Sequence, residues 1–437
     1  MTNLNEQDWQ KLKEELEAIE IPKEALYKAR GKAVHQHRLT KRRKRRLYSV
    51  ASVAAIVLLL FVTSIRVSPV FAQVMAKIPG FDSIVHMISY DKGISDIVEN
   101  DYYEELGIVV KKGDYTLTLQ GVVADHSGMT IFYKLESPFD LSKLSITSLE
   151  VSQQGIPFGV INSYTASKTG KRTVQEDQVE ITSPHDLSYN NKTFEFNLHL
   201  SDATDAETKF SVPFTLTKPI EQPKVYEVNQ AVVVDGQTIN IKQLKISPLR
   251  AEIRLAADEQ NTMQLLKFIS VRLIDENGED WVLPRNSWGG FGNLREGEVS
   301  LFVQSNYFRQ PKKLTLVMER IQALPKGSDF IEVDFEKKKV LYVPNELDIT
   351  IQVPSDNTME VTYPSGGWNL FSEIVDQEGN DFSRNLIEMH VVSRENPYVK
   401  EVYTFDFDNA VNPIRFNINS YPMYLDGKVE IDIPLNE

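Results

Sequence analysis

Hydrophobic positions follow three rhythms along the chain, and each predicts a different kind of element. Near the start, "LNEQDWQKLKEELEAIE" spaces Trp9, Leu12, Leu16 and Ile19 by three, four and three, a narrow apolar stripe on an otherwise charged helix. After Ile21 and Pro22, where proline suits a first helical turn, "KEALYKARGKAVHQH" keeps Leu26, Ala29 and Ala33 on one side of a second helix. From Leu47 to Ile65 no charge interrupts the chain. Between Gln73 and Leu106 the pattern is helical again, with Ile78, Phe81, Ile84, Val85 and Ile88 on one face and Pro79-Gly80 breaking it. From Gly107 the period drops to two. "TFEFNLHLS" alternates Phe194, Phe196, Leu198 and Leu200 with polar residues, and "PIRFNIN" alternates Ile414, Phe416 and Ile418 in the same way.

Such half-buried strands recur to the end, separated by turn signals such as Asp235-Gly236, Asn277-Gly278 and Asp426-Gly427, a spacing that predicts β-sandwiches. Internal repetition points to several of them. "GDYTLTLQGVVADHSGMTIFYKL" from Gly113 and "DGQTINIKQLKISPLRAEIRL" from Asp235 share a strand, an irregular turn and a second strand. "LIDENGED" from Leu273 and "IVDQEGND" from Ile374 read as nearly the same hairpin, each followed later by a Pro-led strand. Proline-containing stretches near Pro219, Pro223 and Pro344 mark boundaries. The predicted architecture is mainly β: tandem Ig-like β-sandwich domains outside a membrane, one transmembrane helix, and a short α-helical cytoplasmic segment. Its divisions are a helical segment at 1–46, a transmembrane helix at 47–66, a helix with the first sandwich at 67–220, a second sandwich at 221–345 and a third at 346–437.

The membrane assignment rests on length and charge. As a helix, Leu47 to Ile65 covers ~28 Å, close to the ~30 Å hydrocarbon core of a bilayer. Eleven of its nineteen residues are Leu, Ile, Val or Phe, together favourable by roughly 3 to 7 kcal/mol at mid-membrane. Residues 1–46 hold 13 Lys and Arg against 7 Asp and Glu, a net +6; the rest of the chain holds 35 against 54, a net −19, and the two make up the −13 of the whole. Basic residues beside a span stay in the cytoplasm, so the N-terminus is expected inside and the C-terminal part outside. Lys41, Arg42, Arg43, Lys44, Arg45 and Arg46 therefore read as a topology signal rather than a nucleic-acid site. "SPVFAQ" offers small or compact residues at Val70 and Ala72, as a signal peptidase prefers. A 46-residue leader and a long apolar core favour a retained anchor over a removed signal peptide, and a regulated cut after Ala72 in an anchored protein stays open.

Chemistry is scarce. With no cysteine in 437 residues there is no disulfide scaffold, zinc-thiolate cluster or thiol nucleophile. The histidines are scattered apart from His35 and His37, which read as solvated, and no hydrolase, kinase or metalloprotease motif occurs. No catalysis and no cofactor are expected. "DENGED" lacks the alternating acidic ligands of a calcium loop and reads as a turn. Trp288 in "SWGGFG" and Trp368 in "SGGWNLF" sit beside glycines, where an aromatic either meets a sugar or peptide ligand or folds back over its own sandwich. The acidic exterior opposes binding to anionic lipid or polyanionic wall polymer. A segment of 46 residues buries too little surface for a core of its own, so the stripe of Trp9, Leu12, Leu16, Ile19 and Leu26 suits a groove on a cytoplasmic protein.

The "IEIPKEALYKARGKA" segment, the basic run, the single span and "SPVFAQVMAKIPGF" after it resemble a family of single-pass membrane proteins of Gram-positive bacteria. Many are regarded as anti-sigma factors for extracytoplasmic-function sigma factors. The resemblance is most motif-like from Ser68 to Phe81, and the β-rich remainder resembles an accessory domain often appended to that family. It implies that residues 1–40 hold a sigma factor inactive through Trp9, Leu12, Leu16, Ile19 and Leu26 while the outer domains receive an envelope signal. Release would follow from signal peptidase-like and intramembrane proteases or from a conformational change. The chain lacks the His-x-x-x-Cys-x-x-Cys of zinc-type anti-sigma factors, so sigma binding would use apolar helix contacts alone. The alternative is a cell-surface structural or ligand-binding β-sandwich protein with an inert cytoplasmic stub.

Overall fold

The structure, a computed structural model, describes residues 6–17, 91–163, 170–202, 206–282, 289–365, 370–395 and 397–435. The chain divides into two compact units, 1–77 and 78–437. In the first, the described residues form one helix, α1 (Glu6–Glu17). No helix among the described residues is long and apolar enough to cross a membrane. The span expected at 47–66 lies outside them, as do Lys41 to Arg46, Val70 and Ala72.

The second unit is mainly β. Its described residues begin with a short helix, α2 (Lys92–Glu99), and continue as antiparallel strands packed into three two-sheet sandwiches. The first contains β1 (Glu104–Lys112), β2 (Tyr115–Asp125), β3 (Gly128–Glu136), β4 (Ser145–Gln153), β5 (Ile156–Pro157), β6 (Val160–Ser163), β7 (Val174–Thr182), β8 (Thr193–Ser201) and β9 (Glu207–Thr215). One sheet runs β1-β2-β3-β7-β6 and faces β5-β4-β8-β9. After the extra strand β1, this is the A-B-E-D against C-F-G order of immunoglobulin-like sandwiches. The alternation of β8 decides which side faces inward: Phe194, Phe196, Leu198 and Leu200 pack against Leu117, Ile131 and Val179 of the opposite sheet. Each such side chain contributes about 1.5–3 kcal/mol by leaving water.

The second sandwich repeats that plan. Its strands are β10 (Lys224–Val234), β11 (Gln237–Ile246), β12 (Ala251–Ala257), β13 (Met263–Asp275), β14 (Asp280–Val282), β15 (Gly290–Gly292), β16 (Glu298–Val303) and β17 (Leu314–Pro325). One sheet runs β10-β11-β12-β16-β15. Even the irregularities recur. The β2–β3 register shifts between Leu119 and Gly121, and the β11–β12 register between Ile241 and Gln243, each just after the fifth residue of its strand. The strand pair read from Gly113 and from Asp235 is thus one structural unit used twice.

The third sandwich holds β18 (Phe330–Asp334), β19 (Lys339–Tyr342), β20 (Thr350–Gln352), β21 (Thr358–Pro364), β22 (Phe371–Val375), β23 (Leu386–Glu395), β24 (Tyr398–Phe405) and β25 (Ile414–Ile418). Its sheets run β20-β21-β24-β23 and β19-β18-β25-β22. The last strand, β26 (Lys428–Asp432), leaves this sandwich and pairs with β17, completing the order β14-β13-β17-β26 in the second. In the first sandwich the seat beside β8 belongs to β9, the next strand in the chain. In the second, the seat beside β17 belongs to β26, while the strand that follows β17, β18, pairs with β25 instead. The two sandwiches have exchanged their final strands.

This corrects the boundary drawn at 345/346. β18 and β19 lie before it and belong to the third sandwich; β26 lies after it and belongs to the second. Alternation fixes which face of a strand is buried but not which sheet receives it. The exchange is reinforced across the joint. Arg295 of the second sandwich pairs with the Asp329 carboxylate and donates to the carbonyls of Asp329 at 2.8 Å and Ile418 at 3.0 Å, while Leu324 and Leu266 pack into the third core.

Candidate functional site

On α1, Trp9 is 60% exposed. Leu12 and Leu16 share the helix with it, at the spacing read from the sequence. Ile19 and Leu26 fall outside the described residues, and so do Trp288 and Trp368. Around Trp288, Gly290 and Gly292 form β15 at positive φ. A Cβ at Gly290 would stand 1.8 Å from the Ser300 carbonyl oxygen of β16, and one at Gly292 2.4 Å from the Glu298 carbonyl oxygen, so both glycines are needed for that strand pairing. The two similar acidic turns use their carboxylates internally. Asp275 accepts from the backbone N–H of Asn277 and Glu279, and Asp376 accepts from Glu378 and Asn380, all at 2.9 Å. Among the described residues, no group of three or more His, Asp or Glu is placed to hold a metal.

The structure adds a site that sequence reasoning did not single out, centred on α2. Asp91 caps this helix by accepting from the Gly93 N–H at 2.8 Å, and Ile94, Ile97 and Val98 form its buried side. Although α2 precedes the first sandwich in the chain, its polar anchors lie on the second. Asp96, with 4% of its side chain exposed, accepts from Arg309 Nε at 2.9 and 2.8 Å and pairs with the guanidinium again at 2.8 Å. Lys92 pairs with Glu279 at 2.9 Å and donates to the Asp280 carbonyl at 2.9 Å. Lys92 and Arg309 both stand over the buried Trp281 ring, at 5.4 and 5.8 Å from its centre. Gly93 allows the approach, because a Cβ there would sit 3.1 Å from the Ser305 carbonyl oxygen.

The surrounding seam between the first and second sandwiches is polar. Asp125, fully buried, accepts from Ser127 and Gly128 within its own turn and from the Leu249 N–H at 2.6 Å across the seam. Arg250 pairs with Glu180 at 3.0 Å and lies over Phe302. Tyr102 donates to the Ala124 carbonyl and accepts from the Glu221 N–H. Arg250 Nε and both amide atoms of Asn306 are buried without a partner. Such partly satisfied polar junctions gain less from closure than an apolar core.

Charge in the seam is tuned by loss of water. Burial pushes the Asp96 carboxyl upward while the Arg309 guanidinium pulls it back, and the same pairing keeps Arg309 charged. Half-buried Asp91 is pushed up to about 7, mainly by desolvation with Glu180 adding to the rise; the Gly93 N–H and the charge of Arg250 oppose it. A raised carboxyl binds its proton more tightly in the docked state. Its contribution to docking is therefore complete below the ordinary value of 3.8 and is lost as pH rises through about 7. Amide exchange across Ile94 to Val98 is expected to accelerate beyond its intrinsic base dependence between pH 3.8 and about 7, with no further excess above that. Asp91→Asn keeps the capping oxygen and should flatten that excess.

Comparison with known proteins adds family matches but no activity. A family described as Domain of unknown function (DUF4179) matches residues 41–137, the basic run through β3. A second, described as Family of unknown function (DUF5643), matches residues 223–344, from the start of the second sandwich through β19. No curated protein matches the chain. Among solved structures, the crystal structure of the conserved domain protein from Bacillus anthracis aligns over 55% of this chain and 84% of its own, at 18% identity and a TM-score of 0.37. That similarity is too low to decide fold or function.

Proposed function

We propose that the protein is a single-pass membrane anti-sigma factor, with its N-terminus in the cytoplasm and its sandwiches outside. It works by binding rather than catalysis. The supporting observation is Trp9, 60% exposed on a helix whose apolar positions form one narrow stripe. A large aromatic left in water on an amphipathic helix is the anchor a helix-in-groove partner requires. The +6 balance before the apolar run and the −19 balance after it support the topology. The partners in this reading are an extracytoplasmic-function sigma factor, the bilayer, and proteases acting near Ala72 and within the span. Nucleic acid is not contacted directly.

Affinity capture on the full chain, solubilised from its own membranes, tests the reading. The wild type is expected to retain a sigma factor. Trp9→Ala with Leu16→Ala, removing two anchors worth about 2 kcal/mol each, should weaken retention by about three orders of magnitude and derepress one set of genes. Equal capture by both chains, or no sigma factor on either, rejects it.

A further inference from the structure

The strands at the sheet edges are not protected alike. β1 ends in Lys111 and Lys112, and β9 carries Pro213, both ordinary guards against pairing with another chain. β23 forms an edge of the third sandwich without either, and its side chains from Leu386 through Val392 are exposed on both faces. Ile387 is 65% and Val392 57% exposed, and Leu386, Met389 and Val391 are exposed to a lesser degree. Two register shifts against β24, between Leu386 and Glu388 and between Val391 and Ser393, bracket a regular stretch from Glu388 to Val391. Bulges usually blunt an edge, but the residues added here are Ile387 and Val392, the two most exposed apolar side chains of the strand.

The segment "LIEMHVV", Leu386 to Val392, is a chemical palindrome about Met389. If a second copy of the strand lies antiparallel with Met389 facing Met389, Ile387 faces Val391 and Leu386 faces Val392. Glu388 then faces His390, twice. Within one chain these two side chains already share a face and lie 2.6 Å apart. The pairing brings each acid opposite the other copy's imidazole, places no like charges directly across, and gives the edge backbone groups partners. The geometry points to a two-fold homodimer in which β23 of each copy joins the two β20-β21-β24-β23 sheets into one.

The absence of cysteine in the chain makes the register directly readable. Opposed residues of an antiparallel pair have Cα atoms about 4.5–5.5 Å apart, within the roughly 4.4–6.8 Å span of a disulfide. In the full chain expressed in cells, Met389→Cys is expected to cross-link to a dimer on mild oxidation. Val391→Cys, exposed on the same strand, should not, because its nearest copy is about four residues away along the pair, or ~13 Å. Ile387→Cys mixed with Val391→Cys should cross-link again. On the purified full chain, Met389→Lys puts two ammonium groups face to face and should weaken dimerisation by at least about tenfold in sedimentation. His390→Glu should weaken it as well, and Glu388→His with His390→Glu should restore it. Unchanged circular dichroism and melting of these variants would establish that the fold is intact. A full chain that stays monomeric, with Met389→Cys cross-linking no faster than Val391→Cys, overturns the dimer. The edge strand would then belong to a partner of different sequence.

Discussion

Ending the chain after Tyr424 is expected to unfold the second sandwich, although the rest of that sandwich is complete by Pro325. The cut removes β26 and with it Leu425, Val429, Ile431 and Ile433, all members of the second core. At about 1.5–3 kcal/mol for each buried side chain, the loss is roughly 6–12 kcal/mol, comparable with the roughly 5–15 kcal/mol that stabilises a whole domain. It also bares the edge of β17 from Thr315 to Glu319, where β26 had paired. Calorimetry should show the first sandwich melting as in the full chain while the transition of the second is lost. A chain ending at Tyr342, although it contains the β10–β17 strands, should fail in the same way. Adding a peptide of residues 425–435 in trans should restore the transition, since it supplies the missing strand by β-addition. A truncated chain that melts like the full one would mean that β17 closes the second core without its partner strand.

The fold was legible where one strand's own periodicity decides its state. β8 and β25 bury Phe194, Phe196, Ile414 and Phe416 as their alternation implies. The likeness of "LIDENGED" and "IVDQEGND" corresponds to two turns of the same hydrogen-bond pattern around Asp275 and Asp376. What the residues conceal is which strand meets which. β26 and β9 have similar alternating patterns, yet β9 pairs with the strand just before it in the chain, whereas β26 pairs with β17, more than a hundred residues away. The α2 site was hidden for a similar reason. Asp91 before a short apolar helix is a readable cap, but nothing local to "DKGISDIVEN" announces that Asp96 will meet Arg309, 213 residues away. Of the apolar stripe proposed to bind a partner, Trp9 is described as an exposed side chain, whereas the apolar span and the two loop tryptophans lie outside the described residues.

Arg309→Ala should release α2 more completely than any change on the helix surface. It leaves the buried Asp96 carboxylate with its strongest partner gone, a cost that approaches the about 3–5 kcal/mol of breaking a fully buried pair only as far as the half-exposed guanidinium is screened from water. The carboxyl, already pushed upward by burial, then rises further because the opposing pull of the guanidinium is lost. Docking in Arg309→Ala is therefore expected to recover as pH falls and Asp96 takes up a proton, the sign required of a raised acid. Asp96→Asn should cost less than Arg309→Ala, since the amide is neutral and still accepts from Arg309, which is half exposed and can turn to water. Hydrogen exchange at Ile97 and Val98 reads the undocking directly, and protease cutting between Asp91 and Asp101 reads its consequence. If both variants open α2 equally and without pH dependence, the ion pair is incidental and the apolar contacts of Ile94, Ile97 and Val98 hold the helix. If Arg309→Ala alone opens it, the second sandwich, which carries Arg309, controls the segment that leads into the first.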